Sequence, residues 1–255
     1  MNSDEFKRMA ELEEDHFWFK ARRDELRPWL VDANRMAPEG PVLDIGAGTG
    51  RNLQLLRETC GARQVIGIDR SHIALSHCLS GKSRAELIRS DATTLPLRSS
   101  SVALVSALDV LEHLENDVQA VREFARCLRP GGELITTVPA HPKLYAAHDR
   151  ALGHVRRYRG KELEQKLEAA GFEIIDARPF NSLLLPLVAI WRFSPLHILS
   201  SRKKSHMSDV RSLPPLLNDA LGTVLGFESS FLAHFTRIPG LSWWIRARLR
   251  TSMRE

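Results

Sequence analysis

The chain has 255 residues, a length that suits one large α/β domain with an appendage better than two full domains. Apolar residues make up 43% and charged residues 26%, as in an ordinary globular protein, so wholesale disorder is excluded. The three cysteines have no metal-binding spacing, which argues against a disulfide framework and indicates a reducing compartment. The net charge of +5 leaves an anionic partner open.

The apolar segments are too short to cross a membrane. The longest, residues 183–191, has nine residues, whereas a spanning helix needs about 20. No charged segment followed by an apolar stretch opens the sequence, so we expect no signal peptide. We therefore expect a cytoplasmic protein, with peripheral contact at the inner face of the membrane left open.

The first predicted elements are helical. Residues 4–30 carry apolar side chains at helical spacing between acids and bases, which predicts an amphipathic helix or two. The breaker cluster at 38–41 ends this arm.

Short strands and helices then alternate. The predicted strands cover 42–45, 65–68, 86–88, 102–107 and 133–138, and the predicted helices 51–60, 73–79 and 117–128. Such alternation indicates a parallel sheet with helices on both faces.

The last third of the chain is less regular. A helix over 161–170 and a strand over 172–178 are followed by an apolar segment (183–199), a polar segment (200–215) and a predicted helix (216–235). A final strand over 243–249 is expected at the edge of the sheet. About 60 residues between two strands is too long for a simple crossover, so we interpret this stretch as an insertion.

A glycine-rich loop, DIGAGTG (44–50), follows the first predicted strand. Its glycines allow a sharp turn and a close approach to a ligand, and ligands of open parallel sheets bind beyond the carboxyl ends of the strands. The spacing is GxGxG, with Arg51 at the third glycine position of the GxGxxG pattern, which disfavours a nicotinamide or flavin oxidoreductase. Asp44 beside the loop would repel a pyrophosphate but suits a cationic or amine-bearing ligand.

Two further acids follow the next two strands. Asp69 ends the second strand, where a carboxylate can accept hydrogen bonds from both hydroxyls of a ribose. Asp91 follows the third strand. The three acids are therefore expected to line one edge of a single cleft.

These segments resemble a class I S-adenosylmethionine-dependent methyltransferase of the small-molecule, type 11-like group. The resemblance covers residues 41–138 and is carried by DIGAGTG (44–50), GID (67–69), SDATTLPLRSSSVALV (90–105), LEHL (111–114) and LRPGGELI (128–135). It implies S-adenosylmethionine as the cofactor, with Asp69 at the ribose, Asp91 and Ala92 at the adenine and Asp44 at the amino-acid end. The implied cofactor-binding residues are Asp44, Gly46, Ala47, Gly48, Gly50, Asp69, Arg70, Asp91 and Ala92.

The predicted fold is therefore α/β, a doubly wound, mostly parallel, seven-stranded Rossmann-like sheet with an N-terminal helical arm and a helical insertion before the last strand. We expect an arm or lid at 1–40, the cofactor-binding core at 41–180, an apolar helical insertion at 181–240, and the last strand and tail at 241–255.

Methyl transfer from a sulfonium needs alignment and a dry cleft, and a general base only if the acceptor arrives protonated. The candidates for such a base are His113, His148 and His154, although His113 could instead only bond backbone at the start of a helix. The spacing of His141, His148 and His154 fits no metal motif, so no metal is expected.

The acceptor site is predicted from two segments, EEDHFWFKARRDEL (13–26) and HDRALGHVRRY (148–158), which are similar to a bacterial subgroup found with cell-envelope and glycan biosynthesis. The aromatic arm (His16, Phe17, Trp18, Phe19 and Arg22) is interpreted as a lid or as simple packing. Arg156, Arg157 and Arg159 could grip a phosphate or carboxylate, or belong to a solvated loop. The substrate-binding candidates are His16, Trp18, Arg156, Arg157 and Tyr158.

Residues 180–199, with Arg202, Lys203 and Lys204 after them, leave three readings open: contact with a membrane surface, a dimer face, or a wall of the acceptor pocket. The sequence predicts a methyltransferase for a small-molecule or lipid- or glycan-linked acceptor, with an anionic acceptor left open. A nucleic-acid methyltransferase is the alternative, but no NPPY-like box follows the fourth strand and no Pro-Cys nucleophile is present. A catalytically silent, cofactor-binding scaffold is the other alternative. No nucleic-acid partner is expected, and the oligomeric state stays open.

Overall fold

The structure is a computed structural model that describes residues 9–80, 85–194, 212–228 and 239–251. A helical turn at 9–12 precedes the main elements. In chain order these are α1 (Phe17–Met36), β1 (Val42–Ile45), α2 (Arg51–Cys60), β2 (Val65–Asp69), α3 (His72–Ser80), β3 (Glu86–Arg89), β4 (Val102–Leu108), α4 (Asp117–Cys127), β5 (Leu128–Pro139), α5 (Ala147–Leu152), α6 (Glu162–Ala169), β6 (Phe172–Phe180), α7 (Leu185–Phe193), α8 (Pro215–Phe227) and β7 (Ser242–Leu249), with 3₁₀ turns at Leu111–His113 and Pro142–Leu144.

The strands form one seven-stranded sheet in the order β3-β2-β1-β4-β5-β7-β6. The pairs β3–β2, β2–β1, β1–β4 and β4–β5 are parallel, so the carboxyl ends of β1, β2, β3 and β4 meet at one edge, where the glycine loop lies. This arrangement confirms the predicted doubly wound, mostly parallel Rossmann-like sheet.

The last strand is not at the edge of the sheet, and that part of the prediction was wrong. β7 runs antiparallel between β5 and β6 and pairs with both of them. Its central residues Trp244 and Ile245 are buried, because both neighbours and both faces of the sheet cover them. The edge position belongs to β6.

Several other boundaries differ from the predicted ones. β5 begins at Leu128, which pairs with Val102 of β4. The next pair is Leu104 with Glu133, so the register shifts there and the extra residues of β5 form an irregularity in the pairing. The breaker residues 129–132 therefore end α4 without ending the strand pairing. The predicted helix 216–235 is present as α8 up to Phe227, and its remainder from 229 lies outside the described residues, as do 4–8 and 195–199.

The helical arm packs against the sheet. Leu26, Trp29, Leu30 and Ala33 recur at helical spacing on α1 and are all buried in one cluster with residues of β1, α2, β5 and β7. Trp29 meets Trp244 of β7 edge to face, at 6.1 Å between ring centroids. The apolar stripe that predicted the helix is therefore the surface that fixes it to the core.

The insertion contributes two apolar helices near the arm. Leu184 at the start of α7 and Leu225 of α8 share a buried cluster with Phe17 of α1. The opposite faces of the same helices leave Leu187, Ile190 and Leu216 exposed. Within the described residues, no helix combines the length and the apolar character that crossing a bilayer requires.

Candidate active site

The glycine loop leaves β1 in backbone conformations that favour glycine. Gly46, Gly48 and Gly50 have φ of +71°, +56° and +89°. The amides of Gly46 and Ala47 both donate to the carbonyl of Ile68, at 2.8 and 3.0 Å, which ties the loop to the end of β2. A Cβ on Gly46 would lie 2.6 Å from Cγ2 of Val110, so the close approach of the segment after β4 also requires glycine at position 46.

Asp69 and Asp91 lie at the strand ends that the sequence predicts. The Asp69 carboxylate accepts hydrogen bonds from the amides of Gly48 at 3.0 Å and Ser71 at 2.8 Å, which holds it against the loop. Asp91 accepts from the amide and hydroxyl of Thr93, at 2.8 and 2.6 Å. These bonds from Thr93 lower the pKa of Asp91. Both side chains lie beside one cleft.

Asp44 is a buried acid directly behind the loop. Its side chain is 1% exposed, and apart from the nearby hydroxyl of Ser106 on β4 neither carboxylate oxygen has a hydrogen-bond partner among the described residues. Burial raises the pKa of Asp44 to about 7. A polar group in this state is unfavourable without a partner, so the site favours a ligand or water that can donate to it.

A cavity of about 980 Å³ extends from the glycine loop to an inner chamber, the end of the cavity that His113, His154 and Arg157 line. The predicted cofactor residues on its wall are Gly46, Ala47, Gly48, Asp69, Arg70, Asp91 and Ala92, while Asp44 and Gly50 lie behind that wall. The candidate bases His113, His148 and His154 line the same cavity, as do His16, Trp18 and Arg157. Arg156 and Tyr158 do not line it.

The arm closes one side of the cavity. Arg22 of α1 pairs with the carboxylate of Asp109 at the end of β4 and donates to the hydroxyl of Thr137 at 3.0 Å. Glu13, before α1, accepts a hydrogen bond from the hydroxyl of Thr49 in the glycine loop. Burial raises the pKa of Glu13. The arm thus contacts both the cofactor end and the inner end of the cavity.

A buried carboxylate, Asp149 of α5, organises the inner end. It accepts from His154 Nδ1 at 3.1 Å, Arg157 Nε at 2.6 Å and Arg192 Nη1 at 3.1 Å, and also from the amide of Ala146 at 2.9 Å. Burial alone would raise its pKa, but the hydrogen bond from His154 and the charge of Arg157 outweigh burial and hold the pKa of Asp149 well below its ordinary value. Asp149 therefore joins α5, the loop after it and the insertion helix α7.

Two arginines of the basic loop, Arg156 and Arg157, are paired within the protein. Arg157 is 9% exposed and also donates to the carbonyl of Ala140 at 3.0 Å. Arg156 lies 3.4 Å from the carboxylate of Asp117, and the buried Tyr158 hydroxyl donates to the same carboxylate at 2.7 Å. These contacts hold the loop in place and occupy Arg156 and Arg157, two of the three arginines suggested for gripping an anion, whereas the third, Arg159, is exposed.

The two histidines at this end differ in their surroundings from surface histidines. His113 Nδ1 is 3.1 Å from the carbonyl oxygen of Gly153, and burial lowers the pKa of His113 to about 4. Glu112 is fully buried, and its Oε1 lies 3.9 Å from His154 Nε2. Burial, with the nearby Asp109 carboxylate, raises the pKa of Glu112.

Sequence reasoning missed Glu112, Asp149, Arg192 and Glu13. Asp149 carried a signal, since it is the one acid among six cations between residues 141 and 161. Glu112 stands inside the segment LEHL, where only the histidine attracted a role. Nothing in the local sequence marks Arg192 or Glu13.

Fold and site together define the class of protein. A parallel sheet with a GxGxG loop after β1 and acids at the ends of β2 and β3 is the arrangement of a class I S-adenosylmethionine-dependent methyltransferase domain. The crystal structure of an S-adenosylmethionine-dependent methyltransferase from Archaeoglobus fulgidus has the same fold, with a TM-score of 0.56, 16% identity, and coverage of 89% of this chain and 94% of that chain.

The particular family follows from the sequence comparisons. Residues 43–136 match the family described as a methyltransferase domain. A probable S-adenosylmethionine-dependent methyltransferase of Mycolicibacterium smegmatis is 34% identical over 167 residues, which are 65% of this chain and 63% of that protein. A tRNA (carboxymethyluridine(34)-5-O)-methyltransferase of Mus musculus is 31% identical over 131 residues, 50% of this chain and 19% of that protein.

Residues 43–136 thus match a methyltransferase domain, and the chain spans about three fifths of the length of the mycobacterial relatives that it matches. The resemblance, the enzyme class and the cofactor predicted from the sequence are confirmed for this domain. The site also fits S-adenosylmethionine on structural grounds, because the loop glycines leave room at Gly48, where an added Cβ would meet only Gly46 O at 3.7 Å. The Asp44 carboxylate, directly behind the loop, has acceptor capacity left for a donor at the amino-acid end, through backbone or water.

Proposed function

We propose that the protein is an S-adenosylmethionine-dependent methyltransferase that acts on a small-molecule or lipid-linked acceptor within this cavity. One observation carries this proposal: a single cavity of about 980 Å³ runs from the glycine loop to an inner chamber that the arm and the insertion cover. Its volume is at the upper end for small-ligand sites, which suits a cofactor together with a compact acceptor.

The cofactor supplies an electrophilic methyl group, and the chain supplies alignment and exclusion of water. In this proposal Asp69 accepts hydrogen bonds from the ribose hydroxyls, and Asp91 and Ala92 border the adenine. Gly46, Gly48 and Gly50, with Ala47, allow the backbone to approach the cofactor, and Arg70 flanks it. Asp44 orients the amino-acid end from behind the loop, through backbone or water.

The acceptor side of the cavity is lined mainly by apolar groups. Trp18 of the arm, Val188 and Trp191 of α7, Leu221 of α8 and Trp244 of β7 all face it. Because Arg157 is committed to Asp149 and Ala140, we propose that the acceptor has a largely apolar body and is not an anion held by the basic loop. The arm then acts as a lid, with Arg22 attached to Asp109 when it is closed.

Cofactor binding is tested with S-adenosylhomocysteine by isothermal titration calorimetry. Asp69→Ala should weaken binding by about 1.5–3 kcal/mol, or roughly 10- to 150-fold, which is the contribution of a charged hydrogen-bond partner. Asp32→Ala, which removes an exposed acid of α1, is the matched control and should bind as the wild type does. Equal affinity in both variants would remove Asp69 from the cofactor site.

The acceptor class is tested by incubating the protein with methyl-labelled S-adenosylmethionine and an extract of the host. The extract is then fractionated into lipid, small-molecule, protein and nucleic-acid pools. Label in the lipid or small-molecule pool is the expected result, with Asp69→Ala as the inactive control. Label in the nucleic-acid pool would instead favour the chemistry of the tRNA-modifying relative, and cofactor binding without labelling would favour a silent scaffold.

A further inference from the structure

Three potential metal ligands converge at the inner end of the cavity. One ligand atom from each of Glu112, His113 and His154 lies within 4.8 Å of the other two. Glu112 and His113 belong to the 3₁₀ turn after β4, and His154 belongs to the loop after α5. All three residues line the cavity.

The hydrogen bonds of the two histidines determine which nitrogen of each ring carries the proton and which one can bind a metal ion. His113 Nδ1 lies 3.1 Å from the carbonyl oxygen of Gly153, a group that only accepts, so Nδ1 carries the proton. His154 Nδ1 lies 3.1 Å from the carboxylate of Asp149, and the same reasoning applies. In each neutral ring Nε2 therefore has a lone pair. A backbone carbonyl or carboxylate on the remote nitrogen is also the usual support of metal-binding histidines.

Glu112 supplies the oxygen ligand. Its side chain is 0% exposed, and neither carboxylate oxygen has a hydrogen-bond partner among the described residues. The nearest ring atom, His154 Nε2, is 3.9 Å from Oε1, beyond hydrogen-bond distance. A buried carboxylate without a partner is strongly unfavourable, and a bound cation would compensate both this carboxylate and the two imidazole lone pairs.

The surrounding structure holds these residues in place. The amide of Val155 donates to the carbonyl of Glu112 at 2.8 Å, which fixes the loop to the 3₁₀ turn. The amide of His154 donates to the carbonyl of Asp149, also at 2.8 Å. Ligand atoms lie about 2.0–2.2 Å from a zinc ion. The three ligand atoms, now within 4.8 Å of one another, must therefore approach one another by about 1 Å on binding, which small side-chain rotations can provide.

We propose that Glu112, His113 and His154 bind one divalent transition-metal ion of the zinc type. Two imidazoles and one carboxylate favour such an ion over magnesium or calcium, which prefer oxygen ligands. Three protein ligands leave a coordination position toward the cavity, as in catalytic zinc sites. There the ion can act as a Lewis acid on an acceptor oxygen. That role rests on the proposed function, whereas the binding of the metal ion is independent of it. This proposal departs from the expectation of no metal, which was based on the spacing of His141, His148 and His154, because the proposed ligands come from two separate segments.

The test uses the full chain, treated with a chelator and dialysed, and titrated with Zn²⁺ by calorimetry and with Co²⁺ by visible absorption. The wild type should bind one ion with micromolar or tighter affinity and give the d–d bands of a cobalt site with nitrogen and oxygen ligands. Glu112→Gln and His154→Ala should each weaken Zn²⁺ binding at least 100-fold. His72→Gln, which changes an exposed histidine of α3 outside the cavity, is the control and should bind as the wild type does.

S-adenosylhomocysteine binding is measured on the same samples, which separates this proposal from the proposed function. Zn²⁺ binding that is absent in the wild type, or unchanged in Glu112→Gln and His154→Ala, overturns the metal site. If the cofactor analogue still binds, the proposed function stands. Far-ultraviolet circular dichroism shows whether each variant is folded, and the near-isosteric Glu112→Gln keeps the test decisive if His154→Ala does not fold.

Discussion

Replacing Asp149 with asparagine removes the charge at the centre of the buried network. The carboxylate accepts from His154, Arg157 and Arg192 and has no exposed surface. Asparagine has nearly the same shape, but it leaves the guanidinium of Arg157, which is 9% exposed, without a counter-charge. The variant therefore tests whether this buried network stabilises the fold.

The expected loss follows from the burial of the pair. Removing one partner of a buried ion pair costs about 3–5 kcal/mol, because the other charge remains desolvated. The amide oxygen of asparagine can still accept one hydrogen bond, and Arg157 keeps its bond to Ala140, so we expect about 3 kcal/mol. For a chain of this size, that corresponds to a fall in Tm of about 6–12 °C.

The measurement is urea unfolding followed by circular dichroism, together with a thermal scan. The control is Glu58→Gln, which breaks an ion pair with Arg27 in which both side chains are more than 40% exposed. That substitution should cost less than about 1 kcal/mol. If Asp149→Asn costs no more than Glu58→Gln, the network does not stabilise the fold and the reasoning is wrong.

The same network predicts how stability depends on pH. The folded-state pKa of Asp149 is depressed below the ordinary value of about 3.9, since the bonds and charges around it outweigh burial. Its contribution is therefore present above about pH 4 and is lost as the pH falls through the lower, folded-state pKa. The wild type should lose more stability than Asp149→Asn on acidification below about pH 4, and parallel losses would contradict this account.

Two more substitutions test the cofactor loop. Gly46→Ala combines a φ of +71° with a Cβ 2.6 Å from Val110, so it should weaken S-adenosylhomocysteine binding at least tenfold in calorimetry. Gly61→Ala, at φ +64° and ψ −125° with nothing within 4 Å of the added Cβ, should cost about 1–3 kcal/mol of stability and leave that affinity unchanged. Asp44→Asn should raise the free energy of unfolding by about 2–4 kcal/mol at pH 8 in urea titrations. The reason is that the pKa of Asp44 is raised to about 7, so the ionised form is unfavourable in the folded protein above that pH. The difference between the variant and the wild type should vanish below about pH 4. Equal affinity of the two alanine variants, or no gain from Asp44→Asn at pH 8, would show that these positions are not constrained as described.

The sequence by itself determined the first half of the sheet and the position of the glycine loop and Asp69 at its edge. β1 and α2 have the predicted bounds, and the glycine loop and Asp69 lie where the motif placed them. These features depend on local signals: residue periodicity within one element, the positive φ that glycine allows, and the rule that parallel strands end at a common edge.

Only the tertiary structure decided the rest. The position of β7 between β5 and β6 is a choice of strand partners that no segment encodes by itself. The chamber depends on contacts between residues distant in sequence, such as Asp149 with Arg192 and Glu112 with His154. A charged side chain in a loop has the same local pattern whether it faces water or a buried partner. Which of the two occurs is set by how the arm, the basic loop and the insertion pack over the sheet.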